Sequence, residues 1–179
     1  MTTLKPVTAV DLAQAIRTVP DFPKPGIQFK DITPVLGDAR LFAGCIELLT
    51  ANHRPGSVDA IVGIDARGFI LAAASALRLE CAFVPIRKRG KLPFTTYEKS
   101  YDLEYGSSTV AIHVDAVRPG SRVLLIDDLL ATGGTAAAAV DLLNQVGAQV
   151  VEVTFLLELA FLRGRDKLAG LPLRSLVIC

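Results

Sequence analysis

The sequence predicts an α/β protein whose central sheet is twisted, mostly parallel and flanked by helices. Two observations carry that expectation. From residue 58 onward, short continuous apolar runs alternate with helical stretches, the pattern of strands buried on both faces. One of those runs, 123–126, ends in an acidic pair, Asp127 and Asp128, and opens onto small residues at the entry to an alanine-rich helix. Open α/β sheets bind ligands at such strand ends.

Thr8 is placed to cap a helix over 9–16, and Asp38 to cap another over 41–49. Between them, Pro20, Pro23, Pro25 and Gly26 forbid a helix, so 20–31 is expected as an extended loop. Residues 58–64 read as a buried strand, followed by the turn Asp65, Ala66, Arg67, Gly68 and a helix to about Leu79. Further strands are expected at 81–87, 122–127, 150–157 and 176–178, with a helix at 136–146. Residues 90–107 are polar, with Gly90 and Pro93, and are expected to form a mobile loop over a binding site. The stretch 109–114 alternates like an exposed strand.

At 179 residues the chain suits one domain. Its 19 basic and 18 acidic residues nearly cancel, which excludes a generic nucleic-acid binder. The 51% apolar content excludes disorder. No apolar run approaches the ~20 residues that span a bilayer, and 1–14 lacks a signal-like stretch, so a cytoplasmic protein without a membrane partner is expected. Cys45, Cys81 and Cys179 form no CxxC pair, which argues against a disulfide framework or a zinc site. His53 and His113 have no neighbouring ligand set, so no metal site is assigned to protein side chains.

The informative segment continues from Asp127 and Asp128 through Leu129 to Ala131, Thr132, Gly133, Gly134 and Thr135. Glycines let the backbone approach an anion, and the helix N-terminus adds N–H donors and partial positive charge. The two carboxylates can accept hydrogen bonds from vicinal hydroxyls, so a phosphorylated sugar satisfies both halves. A Gly-Gly turn alone is common; the order of apolar strand, acidic pair and small-residue loop is more specific. The segment lacks the lysine of a P-loop, and no GxGxxG follows a strand, so nucleotide hydrolysis and dinucleotide binding lose their markers.

The run from 123 to 135 resembles the phosphoribosyl-pyrophosphate motif of the type I phosphoribosyltransferases. Segments 20–27, 30–34, 63–69, 86–93 and 103–106 resemble the adenine-specific branch of that family, in collinear order over nearly the whole chain. The sequence departs from the family pattern at Lys30, where Arg is common, at Gln28, which replaces an apolar residue, and at Ala66, which replaces Ser.

The resemblance implies the type I phosphoribosyltransferase fold, with a 1–35 hood and a 36–179 core, and transfer of phosphoribose from 5-phosphoribosyl 1-pyrophosphate (PRPP) to adenine. The products are AMP and pyrophosphate, and the cofactor is Mg²⁺ carried mainly by PRPP. It places the ribose hydroxyls on Asp127 and Asp128 and the 5′-phosphate on Ala131 to Thr135. Pyrophosphate falls to Ala66 and Arg67, with Arg87, Lys88 and Lys91 adding positive charge. The base falls to Gln28, Phe29 and Lys30, with Leu129 on the other side of the ring. Glu104 is implied as the catalytic acid/base or hydrogen-bonding group at adenine N7, and the counterpart of Arg87 near a subunit interface implies a homodimer. Another purine base, or a non-catalytic nucleotide sensor, are the rival readings. A Gly133→Val change is expected to block the anion while leaving the fold nearly intact.

Overall fold

The computed structural model describes residues 5–102 and 107–179. The chain forms two compact units, one through Leu48 and one from Leu49 to Cys179.

In the first unit, α1 (Ala9–Ala15) opens with a reciprocal capping box. The Thr8 hydroxyl accepts from the Asp11 N–H at 3.3 Å, and the Asp11 carboxylate accepts from the Thr8 N–H at 2.7 Å. The segment expected as an extended loop is a hairpin instead. Strands β1 (Arg17–Pro20) and β2 (Gln28–Asp31) pair antiparallel, with Phe29 opposite Val19 and Gln28 opposite Pro20. The prolines fit because Pro20 ends a strand, while Pro23 and Pro25 lie in the connecting turn, where Asp21 accepts from the Gly26 N–H at 2.7 Å. A short helix α2 (Thr33–Leu36) follows, and then α3 (Ala39–Leu49), whose first turn is capped by Asp38. Burial pushes the Cys45 thiol up to about 12, which suits an inert core thiol.

The second unit is a seven-stranded sheet in the order β5-β6-β4-β3-β7-β8-β9. Its strands are β3 (Ala60–Ile64), β4 (Ala82–Lys88), β5 (Thr96–Asp102), β6 (Ser107–His113), β7 (Arg122–Leu130), β8 (Gln149–Glu158) and β9 (Leu173–Ile178). The pairs β3/β4, β3/β7, β7/β8 and β8/β9 are parallel, and β4/β6 and β5/β6 antiparallel. Helix α4 (Arg67–Arg78) packs on the face that displays Gly63, where the missing side chain admits Ala72. Helix α5 (Gly134–Gln145) packs on the opposite face, with Val62, Ile64, Val123 and Leu125. Strands β4 and β7 flank β3, and the helices that follow β3 and β7 leave on opposite faces. A crevice therefore opens between the carboxyl ends of β3 and β7, the switch point of a doubly wound sheet.

Two strand expectations are corrected. Residues 96–102, expected within a polar loop, form β5, because their alternation turns Tyr97 and Tyr101 onto the core while Glu98 and Ser100 face away. The stretch beginning at Thr109 lies inside the sheet, with Val110, Ala111 and Ile112 buried. No helix among the described residues is long and apolar enough to cross a membrane.

His53, which had no partner in the sequence pattern, lies 2.7 Å from the buried Glu152 on β8. Glu152 also accepts from Asn52 at 3.0 Å and from Arg174 of β9 at 3.1 Å, and Arg174 donates to the Leu49 carbonyl at 2.8 Å. Burial alone would raise this carboxyl; the Arg174 and His53 hydrogen bonds and the Arg174 charge hold it below its ordinary value of 4.5. A depressed carboxyl contributes stability above its unfolded value and loses it as pH falls through the folded one. Glu152→Gln should therefore cost about 1–3 kcal/mol at pH 7, and thermal melts should show the deficit shrinking below the ordinary 4.5. A deficit independent of pH would assign the loss to packing rather than charge.

Candidate active site

Strand β7 is buried from Val123 to Ile126 and carries Asp127 and Asp128 out at its carboxyl end. It runs three residues beyond the expected end at Asp127, to Leu130, so the acidic pair is still held by the strand ladder, with Asp127 opposite Phe155 and Leu129 opposite Leu157 of β8. A cleft of about 400 Å³ opens here. It is lined by the β3 turn (Asp65, Ala66, Arg67), by Asp127, Asp128 and Leu129, and by every residue from Ala131 to Thr135. Of the residues singled out in the sequence, these are the ones the fold brings together.

The loop enters α5 through Gly133, whose φ of +77° is a left-handed conformation that favours glycine. The first N–H groups of α5 have no intrahelical acceptor and carry the positive end of the helix dipole. They open on the same cleft as the Thr132 and Thr135 residues. Behind the loop, the backbone of Gly133 lies against that of Gly164, and a Cβ at either glycine overlaps the other's segment: the Gly164 carbonyl in one case, the Ala131 carbonyl in the other. Gly133→Val is thus not a clean probe of anion binding, because the branched side chain collides with backbone as well as forcing φ. Gly164, in the 3₁₀ turn Gly164–Leu168, is a positioning residue that sequence reading missed. Only a fold that brings that turn under the loop makes its missing side chain meaningful.

Arg67, the first residue of α4, donates from Nε to Asp128 Oδ2 at 2.5 Å, and Asp128 is 6% exposed. The Asp128 N–H donates to Asp127 Oδ1 at 2.9 Å. Gly68 permits this approach, since a Cβ there would overlap Asp127 Oδ1. Arg87 faces the β3 turn, 3.5 Å from Asp65 Oδ2, and donates to the Lys91 carbonyl at 2.8 Å. Lys88 and Lys91 are exposed beyond the cleft lining. In the first unit, Phe29 stacks edge-on with Phe22 at 5.1 Å between ring centres, and Lys30 donates to the Thr18 hydroxyl at 3.0 Å. Gln28 starts β2 opposite Pro20 and is exposed. Glu104 lies outside the described residues.

Burial and the adjoining Asp128 carboxylate push Asp127 well above its ordinary value of 3.8, against the opposing pull of the Asp128 N–H and Arg67. For a raised carboxyl the native state binds the proton more tightly, so stability falls as pH climbs from the unfolded to the folded value. Asp127→Asn keeps the shape and the acceptor while removing the charge. It should raise the melting temperature at pH 7–8 by at least about 2–4 °C, and the gain should vanish below the ordinary 3.8. A variant less stable than the parent at neutral pH would contradict this.

Comparison with known proteins places this geometry. The family model described as "Phosphoribosyl transferase domain" matches residues 36–169. An adenine phosphoribosyltransferase from Acidothermus cellulolyticus is 54% identical over 166 residues, covering 93% of this chain and 94% of that protein. The crystal structure of the adenine phosphoribosyltransferase from Rhodothermus marinus superposes with a TM-score of 0.90 at 50% identity, over 96% of this chain and 98% of the other. That of the Saccharomyces cerevisiae enzyme, complexed with an imino-altritol bisphosphate and adenine, gives 0.88 at 40% identity, over 94% and 97%. The chain belongs to the phosphoribosyltransferase family, in its adenine phosphoribosyltransferase branch.

Proposed function

We infer that the protein transfers the 5-phosphoribosyl group of PRPP to N9 of adenine, forming AMP and releasing pyrophosphate, a purine-salvage reaction. The observation that carries this reading is the single cleft into which the β7 carboxylates, the loop at the head of α5 and the β3 turn all open. Each supplies one recognition chemistry that PRPP needs: hydroxyl acceptors, a phosphate nest and a cationic pyrophosphate turn.

Asp127 and Asp128 accept from the ribose hydroxyls and stabilise the positive charge that develops on the sugar as the C1′–O bond breaks. The N–H groups of Ala131 to Thr135 hold the 5′-phosphate, so both ends of the ribose are fixed before reaction. The β3 turn at Ala66 and Arg67 receives pyrophosphate, with the positive field of Arg87, Lys88 and Lys91 around it. Pyrophosphate draws Arg67 away from Asp128, and the carboxylate so released is the one offered to the ribose. Leu129 gives the cleft an apolar side chain. Base recognition is assigned to Gln28, Phe29 and Lys30 through the family resemblance. Glu104 receives the acid/base role at the purine on the same ground.

The oxygen donors facing the cleft, Asp127, Asp128, Thr132 and Thr135, are hard ligands that suit Mg²⁺. Among the described residues, no group of three or more His, Cys, Asp or Glu converges into a cage. Asp127 and Asp128 would hold the waters of a Mg²⁺ carried by PRPP, and the ion would supply positive charge for the leaving pyrophosphate. We further propose a cytoplasmic homodimer. Ile70 and Leu77 support the dimer, lying seven residues apart on one side of α4 at 45% and 83% exposure, an apolar stripe that a second copy would cover.

Pyrophosphate release from PRPP, measured with adenine, hypoxanthine and guanine in turn, tests the reaction. Release should require adenine, with the 6-oxo purines slower by about 10⁴-fold because they leave buried donors and acceptors unpaired. Equal turnover with hypoxanthine would change the substrate, and no release with any base would remove the activity. In the same assay Glu104→Gln should lower the single-turnover rate by ~10²-fold while PRPP affinity stays level. An unchanged rate would strip Glu104 of its role.

A further inference from the structure

Among the described residues that line the cleft, one comes from outside the continuous segments β3–α4 and β7–α5. Tyr101 reaches it from β5, a strand at the sheet's antiparallel edge. Its ring is half-buried against the core cluster that includes α5, and among the described residues none hydrogen-bonds its hydroxyl.

The strand's own register says which part of the cleft Tyr101 faces. Side chains two apart on a strand share a face and stand about 7 Å apart. Lys99, on the same face as Tyr101, forms an ion pair with Asp141 of α5 at 2.7 Å. Stepping about 7 Å along β5 from that anchor matches about five residues of helix rise. From Asp141 toward the start of α5, that reaches Ala136, which lines the cleft beside Tyr101. Tyr101 is thereby placed over the first turn of α5, on the side of the cleft where the helix N–H groups emerge. The β3 turn lines the same cleft from the carboxyl end of the neighbouring parallel strand.

We propose that the Tyr101 hydroxyl is a substrate-binding donor for the 5′-phosphate of the phosphoribosyl group, closing from above the nest that Ala131 to Thr135 make from below. This rests on the phosphoribosyl-transfer reading and deepens it. The main-chain N–H groups and threonine hydroxyls engage the oxygens that face the helix. A phenol on a separate element supplies a directional donor to an oxygen that they leave to solvent. Because the ring packs on the core and Lys99 is anchored on Asp141, the donor is held in place before the ligand arrives.

Calorimetric titration of parent and Tyr101→Phe with ribose 5-phosphate, AMP and inorganic pyrophosphate tests the assignment. Phenylalanine keeps the packed ring and removes only the hydroxyl. A lost hydrogen bond to a charged phosphate should weaken ribose 5-phosphate and AMP by about tenfold or more, while pyrophosphate, assigned to the β3 turn, is unchanged. Unaltered affinity for ribose 5-phosphate would overturn the assignment. Equal losses for all three ligands would also overturn it, making Tyr101 a packing residue. A parent that binds neither ribose 5-phosphate nor AMP would instead bring down the phosphoribosyl-transfer reading on which it rests.

Discussion

Two carboxylates placed side by side at the buried end of a central strand oppose folding, and the rest of the site is arranged around them. A sheet that optimised stability alone would not put Asp127 and Asp128 together. Arg67 offsets the charge of Asp128, and the Asp128 N–H gives Asp127 partial relief. Asp127 remains raised by burial and by its neighbour. The adjacent strand shows the opposite solution. Glu152 on β8 is as buried as Asp128, yet three donors satisfy it and hold it low. One carboxylate stabilises the fold as pH rises and the other opposes it. A buried acid left wanting partners is what a binding site looks like before its ligand arrives.

The sheet topology converts that local cost into a cleft. Because α4 and α5 leave β3 and β7 on opposite faces, the two turns separate and leave room for a phosphorylated sugar between them. The room is shaped by absent side chains. Gly133 and Gly164 let two backbone segments touch behind the 131–135 loop, and Gly68 lets α4 start beside Asp127. Rigidity follows from the same contacts, since the loop is backed by main chain rather than by movable side chains. Catalysis by fixed dipoles and charges depends on such a wall, because groups already in place need no reorganisation as charge develops.

Much of this was legible in the chain itself. The order of apolar strand, acidic pair and small-residue loop located the cleft, since a strand end and a helix start are both written in local sequence. Capping by Thr8 and Asp38 was likewise local and placed two helices. Long-range pairing was not. Glu152 meets His53 and Arg174 through the sheet order, and nothing near His53 in the sequence announces a carboxylate about a hundred residues away. The β5 strand was hidden by its composition: its polar residues suggested a loop, although its alternation of tyrosine and lysine with outward-facing polar groups carried the period of a strand. The β1–β2 hairpin was hidden by its prolines, which mark the turn as well as they would mark a loop. Gly164 was invisible for a different reason: a glycine matters here for what approaches it, and only the tertiary fold says what that is.

The most direct measurement is a crystal structure of the protein with ribose 5-phosphate, pyrophosphate and Mg²⁺. The ribose hydroxyl oxygens should lie within about 3 Å of the Asp127 and Asp128 carboxylates, with the 5′-phosphate on the N–H groups of the 131–135 loop and Arg67 turned from Asp128 to the pyrophosphate. A sugar whose hydroxyls face away from both carboxylates, or a 5′-phosphate seated on the β3 turn, would contradict the assignment of the acidic pair as the ribose site.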